Sequence, residues 1–134
     1  RAGNFLFDEE PAQITAWLDW ELSHIGDFHE DIAYNFELLF GVLVEHGQYR
    51  VGDMFTTDEY VRRYEAASGR KIDPVKLHWY RVLTCFKLAV MNHSSAVRAA
   101  RDGTNHQDVL LSWLCACSHG IMDEMCRLLE GDKA

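Results

Sequence analysis

The chain has 134 residues, 48% of them hydrophobic and 25% charged, which is the size and composition of one compact globular domain. Its formal net charge of -8 argues against a nucleic-acid partner, whose binding depends on Lys and Arg, and favours a cationic or small neutral partner. No apolar run approaches the roughly 20 residues that span a bilayer, so no membrane partner is expected. The N-terminal stretch RAGNFLFDEE does not resemble a signal peptide. We therefore expect a single cytoplasmic domain over residues 1–134.

The first 22 residues predict a β-hairpin. The segment NFLFD, from Asn4 to Asp8, is short, aromatic and apolar, and the acidic stretch after it contains the turn residue Pro11. The following segment ITAWLDW, from Ile14 to Trp20, has β-branched and aromatic residues at the length of a strand. Because a lone hairpin is marginal in water, it is expected to need a neighbouring element.

From Asp27 onwards the apolar period changes from two to about 3.6 residues, which predicts helices. The first helix is expected to run from Asp27, its N-cap, to Glu45, with a stop at Gly47. Its predicted apolar stripe comprises Phe28, Ile32, Phe36, Leu39 and Leu43. A shorter helix is expected to begin at Thr57 and to end at Ser68 and Gly69.

A long third helix is predicted to begin at Asp73-Pro74, because Asp caps free backbone N–H groups and Pro fits the first turn. Its predicted buried face comprises Trp79, Val82, Leu83, Phe86, Ala89 and Val90. A break at residues 102–104 precedes the last helix, whose inward residues are predicted to be Leu110, Trp113, Leu114, Cys117, Ile121 and Leu128. The predicted fold is α+β and predominantly helical: a hairpin in residues 1–22, then about four helices in residues 23–134.

Two oxygen-bearing side chains are expected to meet at one end of the hairpin. Antiparallel pairing brings Asn4, at the start of the first strand, beside Asp19, at the end of the second. An ideal pleat would place these side chains on opposite faces, so their convergence requires one of them to lie just off its strand or at a bulge. A carboxylate and an amide oxygen suit Mg²⁺, but the same residue types also occur as ordinary turn and cap residues.

The stretches GNFLFD and ITAWLDWELSHIGDFHEDIAY resemble the segment that follows the catalytic loop in the aminoglycoside phosphotransferase family, which shares its core with protein kinases. That family's pattern is His-Gly-Asp, four residues, Asn, a hairpin ending in Ile-Asp-Trp or a close variant, Gly-Asp, and Asp-Leu-Ala. Here Asn4 matches the loop asparagine and Asp19 matches the metal-binding aspartate. The letters GD at residues 26–27 and DIA at residues 31–33 match the last two elements.

The resemblance implies the C-lobe of a protein-kinase-like fold without its N-lobe. It implies that Asn4 and Asp19 hold the Mg²⁺ of Mg-ATP, as the corresponding residues do in protein kinases. Asp31 would accept backbone hydrogen bonds that brace the catalytic loop, and Glu21 and Asp27 would support the two metal ligands. The family's catalytic aspartate belongs two positions before Arg1, so no catalytic residue is assigned within the chain.

The activity that the resemblance implies is ATP-dependent phosphoryl transfer to the hydroxyl of a small molecule. The chain would be the C-terminal portion of such an enzyme and inactive by itself, which leaves open whether it is an enzyme. The alternative is a non-catalytic helical module for binding or dimerisation, because loss of the upstream lobe would bare apolar surface for a homodimer.

Other side chains admit less specific interpretations. His24 and His29 could serve as metal ligands of a helical phosphohydrolase, but Glu30 interrupts the required pair, and exposed or capping histidines are expected instead. A group of aromatic residues is predicted to be core rather than pocket lining: Trp79, Tyr80, Phe86 and Trp113. The four cysteines are expected to be reduced core residues without zinc: Cys85, Cys115, Cys117 and Cys126.

Overall fold

The computed structural model describes residues 3–43, 49–103 and 108–131. The five strands are β1 (Phe5–Asp8), β2 (Gln13–Trp17), β3 (Gly41–Leu43), β4 (Tyr49–Val51) and β5 (Phe55–Thr56). The four α-helices are α1 (Phe28–Asn35), α2 (Thr57–Ser68), α3 (Pro74–Asp102) and α4 (Asp108–Glu130), and a 3₁₀ helix spans Leu38–Phe40. The predicted α+β, mostly helical class with an N-terminal hairpin is confirmed. Within the described ranges, no helix combines the length and apolar character needed to cross a membrane.

The hairpin pairs β1 with β2 in antiparallel register, from Phe5 opposite Trp17 to Asp8 opposite Gln13, with an irregularity between Leu6 and Phe7. β2 ends at Trp17, three residues before the predicted end at Trp20. One more backbone bond, from Leu18 N–H to the Asn4 carbonyl oxygen at 2.8 Å, extends the pairing beyond the strand. The two ends of the hairpin are therefore held together next to Asn4.

The predicted first helix, from Asp27 to Glu45, is wrong in its length. Asp27 does cap α1 by accepting a bond from the backbone N–H of His29, but α1 ends at Asn35. The hydroxyl of Tyr49 donates to the carbonyl oxygens of Asn35 at 3.0 Å and Glu37 at 2.7 Å, and thereby satisfies carbonyls that the helix leaves free. Glu45 and the predicted stop at Gly47 lie outside the described residues.

The second half of that predicted helix contains instead the 3₁₀ helix and β3, which is the first strand of a three-stranded antiparallel sheet in the order β3-β4-β5. Gly41 pairs with Val51, and a Cβ at Gly41 would collide with the backbone oxygen of Arg50 and the ring of Tyr49. Glycine is therefore required for the close approach of β3 to β4. This pairing joins residues far apart in sequence, so the local apolar period does not show it.

The remaining helix ends follow the local chemistry of the sequence. The Thr56 side chain caps α2 by accepting from the Glu59 backbone N–H at 3.2 Å, and Gly69 ends it with a φ of 68°. Asp73 caps α3 by accepting from the backbone of Val75, and Gly103 ends it with a φ of 62°. The predicted ends of both helices are confirmed, because caps and left-handed glycines act locally.

The predicted buried face of α3 is only partly correct, because Val82, Leu83 and Ala89 are half-buried and Ala89 packs against the core residues Cys85 and Leu88. The buried residues of α3 are Thr84, Cys85 and Leu88. The predicted core residues Trp79, Phe86 and Val90 are instead 57%, 56% and 48% exposed. In the part of the chain that the structure describes, α1 and α4 cover the face of α3 around Cys85, whereas Trp79, Phe86 and Val90 lie on another face that is exposed.

The predicted inward face of α4 is correct at Ile121, which is buried against Cys85 and Leu88, and partly correct at Leu114, Cys117 and Leu128, which are half-buried. Trp113 is exposed, so the prediction of core aromatics fails for it as it does for Trp79 and Phe86. The side chain of Leu110 is outside the described set. All four cysteines are free, but Cys126 is exposed, so the core prediction is wrong for it.

The imidazole of His29 joins α1 to the start of α3. His29 is only 3% exposed, so the expectation of a solvent-exposed or merely capping histidine is wrong for it, whereas it is correct for His24. The backbone N–H of Asp73 donates to His29 Nε2 at 2.9 Å, which places the ring proton on Nδ1, where it donates to Asp27 Oδ1 at 2.5 Å. Lys76 Nζ reaches the other Asp27 oxygen at 3.2 Å. The N-cap residues of two helices are thus bonded through one ring.

We expect His29→Ala to lower the free energy of unfolding by about 2–4 kcal/mol, because it leaves the Asp73 N–H unpaired and a void between α1 and α3. His24→Ala is the matched control, since that ring is largely exposed, and we expect a change below about 1 kcal/mol. Urea unfolding followed by circular dichroism measures both. Equal losses for the two variants would contradict the bridging role of His29.

Candidate metal centre and adjoining cavity

The two residues predicted to bind metal are in direct contact. Asn4 Nδ2 donates to Asp19 Oδ2 at 2.6 Å. Asn4 directly precedes β1, and Asp19 is the second residue after the end of β2. Both side chains therefore lie just off their strands, which is the departure from an ideal pleat that their convergence requires. The structure brings the carboxamide and the carboxylate together at the open end of the hairpin.

The backbone at Asp19 is unusual for a residue with a side chain. Its φ is 67°, in the left-handed region, which Asp tolerates better than most residues but which still disfavours it relative to Gly. The turn around it is fixed by two bonds: Trp20 Nε1 donates to the Trp17 carbonyl oxygen at 2.7 Å, and Ser23 N–H donates to the Trp20 carbonyl oxygen at 2.9 Å. These bonds hold a conformation that points the Asp19 carboxylate at Asn4.

The donor set at this site fits a small hard cation that completes its shell with other ligands. A carboxylate and a carboxamide supply protein oxygens, the type of donor that Mg²⁺ prefers. Among the described residues, no group of three or more His, Cys, Asp or Glu side chains is arranged to hold a metal ion.

A cavity of about 660 Å³ opens next to Asn4 and Asp19. The loop after β2 forms one wall, α1 forms the floor, and α3 closes the far side with Thr84, Lys87 and Leu88. Both apolar and charged side chains line it, which is typical of pockets for small molecules. The candidate metal ligands Asn4 and Asp19 are among the residues that line this cavity.

One wall of the cavity is a chain of three charged or titratable groups. Glu30 on α1 accepts from Lys87 on α3 in a very short contact, and its other oxygen lies 3.1 Å from His24 Nε2. Burial opposes ionisation of Glu30, but the bonds to Lys87 and His24 outweigh it and lower its pKa. The Leu22 carbonyl and Glu30 raise the pKa of His24. Glu30 thereby fastens the loop that follows Asp19 to both helices.

The other predicted site residues, Asp27, Asp31 and Glu21, differ in whether they line the cavity. Asp31 is exposed in the first turn of α1 and lines the cavity, and its backbone carbonyl accepts from Asn35 Nδ2 at 2.7 Å. Asp27 also lines the cavity, but its carboxylate is engaged by His29 and Lys76, and the His29 bonds hold its pKa far below the usual range. Glu21 is exposed and is not among the residues that line the cavity.

A comparison with models of protein families identifies the family of the chain. A model of the phosphotransferase enzyme family matches residues 1–80, a range that includes the hairpin, α1, the second sheet and α2. The chain belongs to the phosphotransferase enzyme family. No curated protein and no solved structure matches the chain. The matched range contains Asn4, Asp19 and Asp31, so the resemblance noted in the sequence is confirmed at the level of the family.

One acidic residue of this phosphotransferase-family chain, Glu37, is buried, and its burial cannot be predicted from the sequence. Glu37, directly after the end of α1, is 3% exposed, and burial raises its pKa to about 7. The thiol of Cys85 donates to both of its carboxylate oxygens, at 3.5 and 3.4 Å, and Arg81 and Glu124 act on it through their charges. The same burial and the charge of Glu37 raise the pKa of Cys85 to about 12. A glutamate between apolar residues of a predicted helix is normally a surface residue.

The titration of Glu37 gives the fold a pH dependence of known sign. Because its pKa rises from 4.5 to about 7 on folding, the folded state holds a proton that the unfolded state releases. The free energy of unfolding therefore falls as pH increases from 4.5 to about 7, by about 3 kcal/mol in total for this group.

We expect Glu37→Gln to remove this loss, so that the variant gains stability relative to the native chain between pH 4.5 and 8. The matched control is Glu59→Gln, which removes a glutamate at the surface of α2. The measurement is the urea midpoint of each chain at a series of pH values. A difference between the Glu37→Gln and native chains that stays constant across this pH range would contradict the buried, proton-holding state of Glu37.

Proposed function

We propose that this chain supplies the metal-holding and acceptor-binding part of an ATP-dependent phosphotransferase that acts on the hydroxyl of a small molecule. The observation that carries the proposal is the Asn4–Asp19 contact of 2.6 Å in the lining of a cavity of about 660 Å³, in a chain of the phosphotransferase family. In kinase-like enzymes, an asparagine and an aspartate at such a site bind the metal ions that bridge nucleotide phosphates. The C-lobe of a kinase-like fold is the architecture that the proposal assigns to the chain.

In this proposal Asn4 and Asp19 hold Mg²⁺, which neutralises the charge of the ATP phosphates when it is bound. The left-handed turn at Asp19 keeps the carboxylate in place before the ligand arrives, so that little reorganisation is needed on binding. The cavity beside the pair receives the acceptor, and apolar lining residues such as Leu88 and Met91 reduce its contact with water. Positioning and electrostatics are therefore the contributions assigned to these residues.

No described residue is assigned the role of accepting the proton of the acceptor hydroxyl. We therefore expect the 134-residue chain alone to bind ligands without turning them over at a useful rate. Binding, and not turnover, is the appropriate measurement for this chain.

A second candidate function is a non-catalytic module that pairs with a second copy of the chain. It is favoured by one feature, an exposed apolar stripe along α3 that consists of Val75, Trp79, Phe86, Val90 and Val97. Large exposed apolar patches mark interaction surfaces in soluble proteins. This function requires neither Asn4 nor Asp19, so a test of the metal pair separates the two candidates.

We expect the chain to bind Mg-ATP and Asp19→Asn to weaken this binding about tenfold or more, because the substitution removes the negative charge of the site while keeping its shape. Asp53→Asn is the matched control: Asp53 also has a positive φ, of 61°, but lies in the turn between β4 and β5. Asn tolerates this conformation, so both variants are expected to fold. Isothermal titration of Mg-ATP measures the affinities, and equal affinities for both variants would refute the metal role of Asp19.

A further inference from the structure

The cavity lining contains an arginine, Arg70, that has no carboxylate partner among the described residues. Arg70 lies in the connection between α2 and α3, and its guanidinium carbon is 5.2 Å from the centre of the Phe28 ring. Phe28 is itself stacked on Tyr64, with ring centres 5.8 Å apart and planes 12° from parallel. Both Arg70 and Phe28 line the cavity. A guanidinium that packs on an aromatic face keeps its N–H edge available for other partners.

A second arginine with the same stacking shows what is different about Arg70. The guanidinium of Arg63 lies 4.6 Å from the centre of the Phe55 ring, but it also donates to Glu59 Oε1 at 3.0 and 2.9 Å. Across the described ranges, the Arg70 guanidinium has no such carboxylate partner, and it packs on the Phe28 ring. Arg63 is thus neutralised within the fold, whereas Arg70 carries its charge into the cavity.

The carboxylates that line the cavity are largely committed to partners in the chain. Asp27 binds His29 and Lys76, and Glu30 binds His24 and Lys87. Asp19 is paired with Asn4 and is the proposed cation ligand. Because these three carboxylates are engaged, Asp31 remains among the described lining carboxylates to attract a cationic ligand. A ligand with an anionic group, in contrast, meets Arg70, a preorganised fork that suits carboxylate or phosphate oxygens.

We propose that the acceptor of this phosphotransferase carries an anionic group, a carboxylate or a phosphate ester, that binds to Arg70. The identification of the anionic ligand as the acceptor rests on the proposed function, but the anion site itself does not depend on phosphoryl transfer. It differs from the expectation of a cationic or small neutral partner, which follows from the net charge of -8. Recognition at a site depends on the charges that line it more than on the net charge of the chain.

The test is a titration of the isotope-labelled chain with sodium phosphate in EDTA, followed by NMR at the backbone amides and at the arginine Nε–H groups. Phosphate should bind weakly and shift the signals of Arg70 and Phe28. Arg70→Gln should weaken this binding about fivefold or more, and Arg63→Gln should change it less than about twofold. Both arginines are exposed, so neither substitution removes a core contact.

Further arms identify the ligand and the site. Acetate in place of phosphate distinguishes a carboxylate from a phosphate group, since the tighter of the two identifies the preferred anion. EDTA removes any cation that would hold phosphate at Asp19, so the phosphate binding that this titration detects does not require the proposed metal pair. Choline, a cation with a hydroxyl group, should not bind at a comparable concentration.

The proposal is overturned if neither anion binds, if Arg70→Gln and Arg63→Gln have the same effect, or if choline binds more tightly than both anions. These outcomes are separate from the Mg-ATP titration. If Asp19→Asn does not weaken Mg-ATP binding but Arg70→Gln weakens phosphate binding, the proposed phosphotransferase function is refuted and the anion site stands. If Asp19→Asn weakens Mg-ATP binding but Arg70→Gln does not weaken phosphate binding, the proposed function stands and the anionic acceptor is refuted.

Discussion

The junction of α1 and α3 through His29 is the constraint on which the cavity depends. Its ring accepts from the Asp73 N–H and donates to Asp27, so the first turns of the two helices are held in one arrangement. Phe28, Glu30 and Asp31 lie next to His29 on α1, Lys87 lies farther along α3, and all four line the cavity. Without this junction, the Glu30–Lys87 contact and the floor of the cavity would have no fixed geometry. A buried neutral imidazole is suited to this task because it joins a donor and an acceptor without placing a charge in the core.

The metal pair depends on a second constraint, the left-handed turn that follows β2. A strand that continued through Asp19 would send its side chain away from Asn4, because successive side chains alternate between faces. The positive φ of Asp19 breaks the alternation, and the Leu18 and Trp20 bonds stabilise the turn. Glu30 then fastens the next part of the loop through His24. The hairpin end, the loop and α1 therefore act together in presenting the Asn4–Asp19 pair to the cavity.

The sequence is sufficient to predict features that arise from neighbouring residues. The caps at Asp27 and Asp73 and the left-handed glycines at 69 and 103 are local, and they are where the sequence places them. The proximity of Asn4 and Asp19 is also predictable, since hairpin pairing fixes which residues meet at its open end, whereas the positive φ of Asp19 that brings the side chains into contact is not. The resemblance to the phosphotransferase family covers the same residues and was confirmed by the family comparison.

Features that depend on distant residues are not predictable in this way. The β3–β4 pairing needs Gly41 opposite Val51, and an apolar helical period through Phe36 and Leu39 conceals it. Which of two apolar faces of α3 is buried is decided by α1 and α4, and not by α3 itself. Arg70 gains its position only when the connection after α2 packs on Phe28 of α1. These features are set by tertiary packing, which periodicity within one element does not record.

The most direct test of the account is to find where a divalent cation binds. Mn²⁺ accepts the same oxygen ligands as Mg²⁺ and broadens the NMR signals of nearby nuclei. With a substoichiometric amount of Mn²⁺ and ATP added to the isotope-labelled chain, the account predicts selective loss of the amide signals of Asn4 and Asp19, and their recovery with EDTA. Loss centred instead on another acidic surface, such as Asp123 and Glu124 on α4, with Asn4 and Asp19 unchanged, would contradict it.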